Sequence, residues 1–261
     1  MKKANFYRII TICWLSFLIV SCASKAETES IKIIDPAVIN ETITKSDELF
    51  KQREDIAKLR EAVKTLASVR NPDQRNFEVE WKFAKFNYFL GRQTDKENEA
   101  EKAFEDGEQA GKIASRIAPD KPDGYFWYAA NLGEKAKKSP VTVGVKSVDD
   151  IKEAMTKVIE IDPKYQGASA YDALGQIELS TAGILGGKAE KAVEYLEKGV
   201  ELNSENTYLR LHLAEAYLAT GKKAEAKKQL DALLQLKPNP EYIVEYKETT
   251  EKAKKLLETR F

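Results

Sequence analysis

Along most of this chain apolar residues recur at three- and four-residue steps. Ile56, Leu59, Val63 and Leu66 fall on one stripe of a helix whose other side is charged. That helix is expected between Thr44 and Val69. Asn71-Pro72-Asp73 stops it, since proline cannot continue the hydrogen-bond ladder. Ile31 to Asn40 contains Pro36 and has no helical period, so it reads as an irregular lead-in. The fold class expected is all-α.

Beyond residue 71 the pattern repeats. Arg210, Leu213, Ala214, Tyr217, Ala226, Leu230, Leu233 and Pro238 keep the spacing of a frame of about 34 residues that resembles the tetratricopeptide repeat, with Gly221 in the turn between its two helices. Small residues at Ala214 and Ala226 let paired helices approach, and larger ones fill the space between pairs. Three degenerate units precede it. Tyr171, Leu174, Gly175, Ala192 and Leu196 mark one, with a longer turn around Thr181 to Gly187. Tyr125, Tyr128, Ala129, Leu132, Ile151 and Met155 mark another, with an insert from Lys137 to Gly144. Trp81, Ala84, Tyr88, Gly107, Gly111 and Ala114 mark the first. The expected architecture is a tetratricopeptide-like solenoid of about four repeats, closed by a Lys- and Glu-rich helix from Tyr242 to Leu257 that caps the stack.

The amino terminus breaks this pattern. Lys2, Lys3 and Arg8 precede an unbroken apolar run, Ile9 to Val20, shorter than the roughly 20 residues that span a bilayer as a helix. This is the layout of a secretory signal peptide. Its ending, Ile19-Val20-Ser21-Cys22, resembles the bacterial lipobox, which implies cleavage before Cys22 and acylation of its thiol. Residues 1–21 are then a lipoprotein signal peptide, 22–43 a tether and lead-in, and 44–261 the helical-repeat domain. Acyl chains contribute about 0.8 kcal/mol per buried CH₂, so the anchor is expected to hold the chain on a membrane. Ala23 after the cysteine resembles outer-membrane sorting and implies a periplasm-facing lipoprotein of the cell envelope.

Composition narrows the chemistry. Lys plus Arg and Asp plus Glu are both 42, so no net positive charge favours nucleic acid. One histidine, and two cysteines of which Cys13 lies in the leader, leave little for metal or nucleophilic chemistry. No catalysis, metal or cofactor is expected. Gly186-Gly187-Lys188 lacks the earlier glycine and following Ser or Thr of a phosphate loop, having Ala182 and Ala189 there, and reads as a tight turn. Asp149-Asp150 reads as the N-terminal cap of a helix beginning near Ile151.

The candidate binding residues are apolar. Repeat positions that face the inner side of such a solenoid hold Phe83, Phe86, Phe126, Trp127, Tyr208 and Leu211, with Val79, Phe89 and Leu218 in the same phase. His212 lies beside them as a groove or surface histidine. Trp81, Tyr125 and Tyr128 are expected in the core instead. Such a stripe is either core or one concavity for a hydrophobic small molecule or a partner segment.

The Trp81-to-Gly91 segment, the run Gly124-Tyr125-Phe126-Trp127-Tyr128-Ala129-Ala130-Asn131-Leu132-Gly133-Glu134 and the segment Gly186 to Ala192 occur in an order that resembles the T-component family of tripartite ATP-independent periplasmic (TRAP) transporters. The resemblance spans Asp47 to Pro238. It implies a periplasmic lipoprotein that associates with a substrate-binding protein and can pass a ligand; a homo-oligomer is a separate candidate assembly. The alternative is an envelope assembly or secretion scaffold that binds peptide segments.

Overall fold

A computed structural model describes residues 33–183 and 185–261. The signal peptide, Cys22 and the tether expected before Ile33 lie outside the described residues. Among these, eleven α-helices and no strand are found, and no helix is long and apolar enough to cross a membrane.

The first helix, α1 (Pro36–Lys51), covers much of the stretch read as an irregular lead-in. Proline at the first helical position loses no ladder hydrogen bond, because that N–H would have no partner anyway. Asp35 caps the helix by accepting from Ala37 N at 2.8 Å. After a turn at Gln52–Asp55 comes α2 (Ile56–Ala67), capped in the same way by Asp55. The expected single helix is therefore a pair.

Four helical pairs follow: α3 (Phe77–Gln93) with α4 (Glu97–Ile117), α5 (Pro122–Lys138) with α6 (Val145–Ile161), α7 (Tyr165–Ser180) with α8 (Ala189–Leu202), and α9 (Thr207–Ala219) with α10 (Lys223–Leu234). This is the tetratricopeptide-like repeat solenoid. The insert after α5 does not loop out. A π-helical turn, Pro140–Gly144, runs straight into α6. Asp149 and Asp150 consequently sit inside α6 rather than at its cap. Gly221, at φ +76°, makes the α9–α10 turn, and Gly186, at φ +81°, belongs to the turn before α8. The last helix is α11 (Ile243–Arg260).

Close approach in the first two repeats depends on glycine. A Cβ added to Gly111 would overlap the backbone of Tyr128, so α4 and α5 meet at a distance that no larger residue permits. Asn131, fully buried on α5, donates from Nδ2 to Ala84 O of α3 at 3.1 Å and to Trp127 O at 2.7 Å. A polar side chain thus ties two repeats together, with the donors of its amide met inside the stack.

Candidate functional site

Helices α3, α5, α7, α9 and α11, with α6 contributing Val148 and Met155, line a cavity of about 590 Å³, within the range of small-molecule pockets. Phe89, Phe126, Trp127, Val148, Met155 and Ile177 form an apolar wall; Arg92, Glu134, Lys137, Asp172, Tyr208 and Glu245 supply polar groups. The aromatic wall is self-supporting. Trp127 packs 5.5 Å from Tyr88 and 6.0 Å from Phe89, and Phe126 meets it edge-on at 5.0 Å.

Of the residues expected at a concave site, Phe126, Trp127 and Tyr208 line the cavity. Phe83 and Phe86 do not, because α1 packs on α3 at that end. Phe86 stacks on Phe50 with ring centroids 4.3 Å apart, and Arg70 lies 4.1 Å over the ring of Phe83. Leu211 is fully buried in the packing around α9. His212 lies behind the wall, its Nδ1 2.7 Å from Oδ1 of the cavity residue Asp172. Burial disfavours its charge, but Asp172 outweighs burial and holds the His212 pKa above its usual 6.5. Trp81, Tyr125 and Tyr128 are only half-buried and pack against the edge of the core, whereas Ala84, Ala129, Leu132 and Met155 of the same frame are buried as expected.

A polar network crosses the cavity. Arg92 at the end of α3 donates from Nη1 to Tyr88 Oη at 3.2 Å, and from Nη2 to both Glu248 oxygens at 2.9 and 2.8 Å. Tyr208 donates to the same carboxylate at 2.5 Å. Burial raises the Glu248 carboxyl, yet hydrogen bonds from Lys252 and Tyr208 and the charge of Arg92 outweigh it and keep it below its usual value. Arg53, stacked over Phe50 and Phe89, reaches Glu245 at 3.4 Å. Glu245 and Glu248, one turn apart on α11, thereby join the carboxyl end of the chain to its first helices. Sequence reasoning missed these residues because alternating Lys and Glu reads as a solvated face.

The rim at the first turn of α7 is strained. Gln166, Gly167 and Ala168 follow one another at φ 48°, 64° and 64°. For Gln166 and Ala168 this left-handed conformation costs of order 1–3 kcal/mol each. Asn206 and Asn203 fix it by donating to Gly167 O at 2.9 and 3.3 Å. Gln166, Gly167, Asn203 and Asn206 all border the cavity.

The family described as regulator of microtubule dynamics protein 1-3 matches residues 42–260. The chain belongs to this family. That assignment overturns the resemblance to the transporter T-component. The aromatic run and glycine pair that carried the resemblance are local packing features of this stack: Trp127 against Tyr88 and Phe89, and Gly186 in a turn. No curated protein matches the sequence. Among solved structures, the chain resembles TTC0263, a thermophilic TPR protein of Thermus thermophilus (TM-score 0.59, 17% identity, covering 82% of this chain and 99% of that one). It also resembles pilF of Pseudomonas aeruginosa (0.54, 15%, 86% and 92%) and MamA (0.50, 17%, 86% and 96%). At these identities the likeness shows the repeat fold alone.

Proposed function

We propose that this family member is a non-catalytic, membrane-tethered binding protein that shelters an apolar solute inside its repeat stack. The observation that carries the reading is the cavity: about 590 Å³, with an aromatic and aliphatic wall on one side and a hydrogen-bonding rim on the other. Apolar enclosure supplies affinity, and a few placed polar groups set orientation. The repeat fold supports a binding role, and the family description names regulators rather than a reaction. The lipobox-like ending at Cys22 supports a tether that places the cavity at the surface of the cell envelope.

Native mass spectrometry of the chain purified from membranes tests the reading. The expected spectrum shows one retained apolar molecule per chain, lost in Ala173→Phe, which fills the cavity from α7. A wild-type spectrum without retained mass, together with no uptake of any added apolar compound, would reject it. Cys22→Ser is expected to release the protein from membranes or leave an unprocessed precursor. Wild type found soluble in the cytoplasm would remove the tether.

A further inference from the structure

The two halves of α11 are held differently. Its carboxyl half is anchored by packing: Ala253 is fully buried, and Leu256 and Leu257 pack against the cluster built on α9 and α10. Its amino half, Ile243–Glu248, joins no apolar cluster among the described residues. This strap is held by polar contacts: Glu245 to Arg53, Glu248 to Arg92 and Tyr208, Lys247 to Glu54 at 3.0 Å, and Tyr246 Oη donating to Leu236 O at 3.0 Å. Glu245 and Tyr246 form part of the cavity wall.

The energetics of opening follow from burial. The side chains of Arg53 and Glu245 are 9% and 14% exposed, so pulling the strap away separates a desolvated pair, which is strongly unfavourable. Lys247–Glu54, 63% and 55% exposed, adds little. A segment that brings its own carboxylates at the same one-turn spacing restores both contacts, so exchange avoids the penalty of leaving buried arginines unpaired and costs the ordering of the incoming segment instead. Thermal opening is therefore disfavoured, whereas substitution is not.

We propose that the strap is a resident stand-in for an acidic helical segment of a partner protein, which replaces Glu245 and Glu248 on Arg53 and Arg92 and so opens the cavity. This rests on the concave cavity being the binding site, and adds the partner that controls access to it. The partner segment carries two carboxylates one helical turn apart, with aromatic or apolar residues on the adjoining positions, as Tyr242 and Tyr246 flank the strap's own acids.

The test uses the full chain and a fluorescein-labelled peptide of residues 242–254, with a control peptide in which Glu245 and Glu248 are glutamine and Glu251 is kept. Strap weakening by Glu245→Gln with Glu248→Gln is expected to tighten binding of the acidic peptide about tenfold over wild type, and Arg92→Gln in that background to abolish it. Equal binding of acidic and glutamine peptides, or no effect of strap weakening, would overturn the proposal. Spin labels at Lys51 and Lys247 of otherwise wild-type protein give a second readout that does not depend on the strap variant folding. The acidic peptide is expected to lengthen the distance between them and the control to leave it unchanged; an unchanged distance with both would also overturn the proposal. Retention of an apolar molecule by the same preparation separates failure of this exchange from failure of the cavity itself.

Discussion

Helices α1 to α6 bury rings and charges, including Phe50, Phe86, Phe104 and Trp127 together with Glu80, Asn87 and Asn131. The α9–α10 repeat buries Leu209, Leu211, Leu213, Leu230 and Leu233 around Ala214, Ala216 and Ala226. The second region is close packing of small and branched side chains, and its geometry is that of a regular repeat. The first contains glycine contacts, a carboxylate shared by two guanidiniums and an amide bridging two repeats. Such groups favour one arrangement because moving them breaks buried hydrogen bonds and ion pairs that water cannot replace. The aromatic region supplies most of the apolar wall of the cavity, which α7, α9 and α11 complete.

The largest break in this comparison is expected at the glycine contact. Gly111→Val drives a side chain into the Tyr128 backbone and is expected to cost at least about 3 kcal/mol, the upper part of the overpacking range, measured by urea denaturation. Glu80→Ala is expected to cost about 3 kcal/mol, the lower end for breaking a buried pair, since Arg70 and Arg75 are partly exposed and can rehydrate. A neutral outcome for both would mean that the aromatic half tolerates change as a loose surface does.

Ala214→Leu or Ala226→Leu is the matching break in the aliphatic half. Both alanines are fully buried, and enlarging either is expected to cost about 1–3 kcal/mol. Lys222→Ala, at the exposed turn beside them, is expected to shift stability by no more than about 0.5 kcal/mol. Equal effects at buried alanine and exposed lysine would place the repeat frame out of phase.

A smaller effect probes the seam between the halves, where His212 of α9 meets Asp172 of α7. The folded pKa of His212 lies above 6.5, with Asp172 and Glu215 favouring the charge and Lys137 and burial opposing it. Its contribution is therefore complete below about pH 6.5, the value of an unfolded histidine, and is lost as pH rises through the folded pKa. The melting-temperature difference between wild type and His212→Gln is expected to be largest in acid and to shrink on that rise. A difference that grows with pH contradicts the pairing.

The aliphatic repeat was legible in the sequence because periodicity reports close packing directly: Leu213, Ala214, Tyr217, Ala226 and Leu230 occupy the buried positions their spacing implies. The aromatic half was legible as helices but not as a site. Periodicity cannot say whether Phe86 faces a cavity or another ring, and here Phe50 from α1 covers it. Pro36 was misleading because the same residue that stops a helix also starts one. The closure by Arg92 and Glu248 was illegible because these residues lie 156 positions apart, and no local pattern distinguishes a carboxylate in a long-range pair from one in solvent.

The central claim is that the inner side of the stack encloses a binding cavity with an aromatic wall, and Trp127 is the reporter built into that wall. With Trp14→Phe and Trp81→Phe leaving Trp127 as the one tryptophan, energy transfer from it to the neutral apolar fluorophore N-phenyl-1-naphthylamine measures occupancy. The account predicts saturable transfer at one probe per chain, abolished by Ala173→Phe with the fold intact by circular dichroism. Transfer that rises without saturation, or that survives Ala173→Phe unchanged, would contradict it.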